Sequence, residues 1–219
     1  VITLTGGDWL GHHDHLNTAA FTAFYRADLA IDPGYDGESM LDWQFFRRSI
    51  AHNTIVIDTP EAAGQLANHA WGFDGGQRVS IQDDRPRNMD QFFRKRNPDY
   101  PSESLFETGA IVASQLSPGF DYVVVDATKA YARAQLTSFL RHLIFLKPDV
   151  VLVYDVIHSP EARQPRWLLQ SVHPPQVGSA TVLVQNGEGR LHAQVLLPSA
   201  PGIAAVATPA GYRTEVSGS

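Results

Sequence analysis

The chain is broken into short β-type segments, and that punctuation rules out most folds other than an all-β one. The clearest instance lies at 138–156, where two runs rich in Val, Ile, Leu and Phe are split by Lys147-Pro148-Asp149. Pro presets φ and Asp bonds its own backbone in turns, so the two runs read as a hairpin. Further strand candidates follow the same rule at 110–115, 122–127, 166–172, 180–184, 190–197 and 204–207. Asn186-Gly187-Glu188-Gly189 reads as a tight hairpin turn, because Asn and Gly accept positive φ. Helical periodicity is scarce throughout. Sequential strands with short connections predict a large antiparallel β-sandwich, taken as a single domain over residues 1–219.

The first half of the chain is less regular. Residues 17–26 read as a strand with Ala19, Phe21, Ala23 and Tyr25 on one face. A second strand is expected at 28–31, a third at 53–58 and a short one at 77–82. Residues 36–49 form a loop whose Trp43, Phe45 and Phe46 make either a flap over a site or a locally packed cluster. Residues 59–74 are a loop of small residues. Residues 83–104 read as a long irregular loop, with Arg94-Lys95-Arg96 a solvated basic run or an anion contact. Trp167 reads as a core tryptophan, and His142 and His173 as packing residues.

Composition narrows the function. With 219 residues, 43% of them hydrophobic and 18% charged, the chain can bury a real core. A formal net charge of -6 argues against a nucleic-acid partner. An anionic ligand would have to meet positive charge concentrated locally. There are no cysteines, so disulfides and thiolate metal sites are excluded. No apolar run reaches the roughly 20 residues that a membrane-spanning helix needs. The chain begins without Met in a strand-like run, so it is expected to be a piece of a longer protein.

The residue types that carry chemistry cluster early. His13 and His15 are two apart, and in an extended strand they would share a face. Asp32 closes an apolar run before Pro33-Gly34, and His52 opens one that continues through Thr54-Ile55-Val56. Two imidazoles and a carboxylate form a ligand set for a divalent ion, zinc first. His15, Asp32 and His52 are therefore expected as metal ligands gathered at strand ends, with His13 beside them. Asn17, Asp14 and Asn53 are candidates to orient the ligands.

The order His13-x-His15-x-Asn17, Phe21, Asp32-Pro33-Gly34 and Arg47-x-x-Ile50-Ala51-His52-Asn53-Thr54-x-Val56 resembles the heparinase II/III-like polysaccharide lyases. The resemblance is sharpest over 6–60 and continues to about Val172. It implies the β-sandwich half that follows an N-terminal α/α toroid, a supersandwich-like fold with the toroid absent here. It further implies cleavage of uronic-acid-containing glycans by β-elimination, with an acidic polysaccharide as partner and a periplasmic or secreted location. The metal is then mainly structural. His13 acts in proton transfer or faces substrate, Tyr35 is a candidate substrate-facing phenol, and the toroid supplies the remaining groups, so the isolated chain would be inactive. Two other readings remain open: a carbohydrate-binding or scaffolding sandwich without chemistry, and a metal-dependent glycan hydrolase.

Overall fold

The computed structural model describes residues 1–10, 14–34, 45–57, 75–77, 88–161 and 163–206. Among them the regular structure is almost all strand, in four antiparallel sheets. The first sheet holds β1 (Ile2–Leu4), β2 (Phe21–Tyr25) and β3 (Ala27–Ala30) in that order. Two-stranded pairing joins β4 (Ile55–Ile57) to β9 (Pro165–Trp167). The largest sheet runs β5 (Ala110–Leu116), β6 (Phe120–Asp126), β7 (Ser138–Leu146), β8 (Val150–His158). The last holds β10 (Gln176–Val177), β11 (Thr181–Asn186) and β12 (Gly189–Gln194).

The β7–β8 hairpin follows the sequence closely. Its register runs unbroken from Ser138 opposite His158 to Leu146 opposite Val150. Alternation sets its faces: Phe139, Arg141 and Leu143 are buried, while Leu140, His142 and Ile144 lie on the opposite face. Leu143 packs with Phe21 and Ala30, flanked by Leu4, Phe145, Val151 and Val153. This apolar layer joins the first sheet to the largest one. That is sandwich packing, in which each sheet hides one face on the other.

A second cluster lies beside it, built from Ile55, Ile57, Val125, Ala127, Tyr131, Leu136 and Phe139. All three residues of β4 are buried, so both of its faces are covered. That explains a continuous apolar run in place of alternation. Burying each isoleucine contributes about 1.5–3 kcal/mol. The Tyr131 hydroxyl donates to the Ile55 carbonyl at 2.8 Å, which satisfies a buried polar group within this cluster.

Several expectations are corrected. Residues 17–20 are not strand: Ala19 adopts φ 63 in a turn, and its carbonyl is held by Arg141. The 83–104 stretch contains a short helix, α1 (Met89–Arg94), started by the Asn88 side chain accepting from the Gln91 N–H at 2.9 Å. Phe92 anchors α1 against Trp9, Leu16, Leu105 and Phe106. Strand pairing at 166–172 stops at Trp167, and 204–206 make no strand. Trp167 is 45% exposed at the sheet edge rather than in the core, against Phe21. Phe45 and Phe46 pack locally with Ile50 and Ala51. Gln77 is buried but unpaired as strand. The expected strand at 78–82, the loop at 59–74 and Trp43 lie outside the described residues.

Candidate metal centre

His15, Asp32 and His52 come together, with one potential ligand atom from each lying within 4.8 Å of the others. They do not sit at strand ends as expected. His15 lies in the irregular segment before β2, and Asp32 two residues past β3. His52 follows a 3-10 turn, Ser49–Ala51, three residues before β4. Loops suit this task because a ligand set needs side chains aimed at a point, which a pleated strand allows only along fixed normals.

Hydrogen bonds tie the His15 segment to the turn that precedes His52. The Leu16 N–H donates to the Arg47 carbonyl at 2.8 Å, and the Ser49 hydroxyl donates to the Leu16 carbonyl at 2.7 Å. Gln77 closes the same corner: its side chain bonds both the N–H and the carbonyl of Thr18, and its own N–H donates to Ser49 Oγ. His15 is thereby tied to the turn that delivers His52, and the two rings lie 5.1 Å apart.

His52 is 1% exposed, and neither ring nitrogen makes a hydrogen bond with a described residue. Its Nδ1 lies 3.1 Å from Asp32 Oδ2. A buried imidazole with one carboxylate beside it, and no other polar partner hydrogen-bonded among the described residues, carries a desolvation cost that calls for an explanation. A tetrahedral zinc with bonds of about 2.0–2.2 Å spaces its ligand atoms by about 3.4 Å. The donor set and the 3.1 Å approach therefore fit a shared divalent ion. Burial raises the Asp32 carboxyl, but the His52 ring, the Gly34 N–H and the His15 ring outweigh it, and the balance lies below the ordinary 3.8. The group is thus held as the anion a cation needs.

His13 and Tyr35 lie outside the described residues. Asp14 spends its carboxylate on the Leu10 N–H at 2.7 Å. His142 stacks on Tyr122, whose hydroxyl meets its Nδ1 at 2.8 Å, so it serves the outer sheet face and not this site. Arg94 pairs with Asp90 at 2.7 Å on the surface of α1. Ser49 and Gln77 went unread in the sequence. No local pattern marks them, since their partners are 28 to 59 residues away.

The fold and the cluster define an all-β protein that can hold a metal through two histidines and an aspartate. The family model described as Heparinase II/III-like, C-terminal matches residues 2–217. The chain therefore belongs to the heparinase II/III-like family, through its C-terminal part. No curated protein matches it. Among the described residues no helix is long and apolar enough to cross a membrane.

Proposed function

We propose that this chain is the sandwich part of a polysaccharide lyase that cleaves uronic-acid-containing glycans by β-elimination. The observation that carries the reading is the convergence of His15, Asp32 and His52 in a chain of this family. The elimination removes the proton α to the uronate carboxylate and expels the glycosidic oxygen from the neighbouring carbon. It needs the carboxylate neutralised, a base for the proton and an acid for the departing oxygen. A histidine suits either proton-transfer role near neutral pH. His13, two residues from His15, takes that role, and Tyr35, three residues past Asp32, faces the substrate. A helical domain of the same longer protein completes the cleft, so residues 1–219 alone are inactive.

The ion, zinc first, would be held by His15, Asp32 and His52. Bound, it supplies a fixed positive charge that draws three loops to one point, a mainly structural part. The family supports an acidic polysaccharide as partner and a periplasmic or secreted setting.

The test is incubation of the full-length protein with uronate polymers. A lyase releases a product with an absorbing, conjugated double bond, and His13→Ala lowers turnover while zinc content stays unchanged. Chain cleavage without the double bond identifies a hydrolase and rejects the reading. Glycan binding without cleavage identifies a scaffold and rejects it equally.

A further inference from the structure

Asn53 is 1% exposed and sits beside His52. Its side-chain amide donates to the Phe21 carbonyl at 2.7 Å and to the Ile31 carbonyl at 3.0 Å. Its Oδ1 accepts the Gln170 N–H at 2.5 Å, and its backbone carbonyl accepts from Arg141 at 2.7 Å. The amide orientation is forced by this set. Turned over, it would set an oxygen against two carbonyls and an NH2 against an N–H. Gln170 doubles the link, because its carbonyl accepts the Ile31 N–H at 3.1 Å and its side chain donates to Ile50 at 2.9 Å.

Two of these bonds carry leverage on the cluster. Ile31 immediately precedes Asp32, and Asn53 immediately follows His52. One amide therefore fixes the separation of the two loops that bring a carboxylate and an imidazole to 3.1 Å. Arg141 then ties the knot to β7, a strand paired on both sides. We propose that Asn53 is the positioning residue of the metal centre. It holds Asp32 against His52 through backbone carbonyls, where an outer partner ordinarily bonds the imidazole itself. The inference rests on the reading of His15, Asp32 and His52 as a metal site. Ligand geometry held from outside the coordination set typically governs metal affinity by about 10- to 100-fold.

The experiment measures zinc affinity by competition with a chromophoric chelator, on the full-length protein with Asn53→Ala, Asn53→Asp and His52→Ala. Cobalt replaces zinc in parallel, because its visible spectrum reports coordination geometry. Wild type is expected to bind one equivalent with a tetrahedral cobalt spectrum, and His52→Ala to lose binding. Asn53→Ala is expected to bind about 10- to 100-fold more weakly, with a shifted cobalt spectrum but native circular dichroism. Asn53→Asp keeps the acceptor for Gln170 and loses both donated bonds, so it should behave alike. Unchanged affinity and spectrum in both Asn53 variants overturn the positioning role while leaving the metal site intact. Absence of binding by wild type overturns the metal reading itself. If both variants are unfolded with zinc present, Asn53 is a folding element and the proposal fails.

Discussion

Arg141 and Asp155 face each other across β7 and β8 and share two hydrogen bonds, Nε to Oδ1 at 2.8 Å and Nη2 to Oδ2 at 2.7 Å. The guanidinium is fully buried, with the rings of Phe21, Phe139 and Trp167 within 5.9 Å. Its remaining nitrogen donates to Ala19 and Asn53 carbonyls, both at 2.7 Å. A buried pair of this kind adds little net stability, but removing one partner strands a charge. Asp155→Asn should therefore destabilise the fold by about 3–5 kcal/mol, read as a fall in urea midpoint. A loss below about 1 kcal/mol would show that water reaches the guanidinium.

Zinc should stabilise the folded chain by mass action. At a free concentration about 100 times the dissociation constant, the gain is about 2.7 kcal/mol. The thermal midpoint should rise with zinc, fall back with chelator, and ignore zinc in His52→Ala. A midpoint indifferent to zinc in wild type removes the structural role assigned to the ion.

Gly75 and Gly187 both adopt positive φ, at 81 and 53, but only one is crowded. A Cβ on Gly75 would stand 2.0 Å from the Ile57 carbonyl oxygen, whereas one on Gly187 meets nothing within 4 Å. Gly187→Ala should cost about 1–2 kcal/mol from backbone strain alone. Gly75→Ala adds displacement of β4 and should cost more than about 2–3 kcal/mol. Denaturant titration of the two variants checks the order, and equal losses would contradict it.

Asp32 gives the metal-free protein a specific response to acid. Its carboxyl is held below 3.8 in the folded state, against desolvation, by the His52 ring, the Gly34 N–H and the His15 ring. A lowered carboxylate stabilises the fold above its unfolded value, and that contribution is lost as pH falls through the folded one. Asp32→Asn should therefore be less stable than wild type near about pH 6, and the gap should shrink toward about pH 3. The side chain is 39% exposed, so solvent screening keeps the effect small. An unchanged gap between urea midpoints at the two values would count against it.

The regular half of the fold was readable because its signals are local. The 138–146 strand was delimited by its own residues, and the turns at Lys147-Pro148-Asp149 and Asn186-Gly187 follow from backbone chemistry at the turn itself. The turn at Ala19 was not readable. Its left-handed backbone is sustained by Arg141, 122 residues away, and an alanine gives no warning of it. Helix α1 was missed because six residues are too few to show a period, and the Asn88 cap was its main local sign.

By itself the sequence determined the all-β class and the β7–β8 hairpin, the donor types at His15, Asp32 and His52, and the family to which the chain belongs. Side-chain alternation, turn chemistry and donor identity are properties of neighbouring residues, so one dimension suffices for them. The tertiary structure decided that the three candidate ligands arrive on loops, and that one buried amide and one buried guanidinium link those loops to the central sheet. Such links join residues up to 122 positions apart. Their bond directions exist only after the sheets have packed.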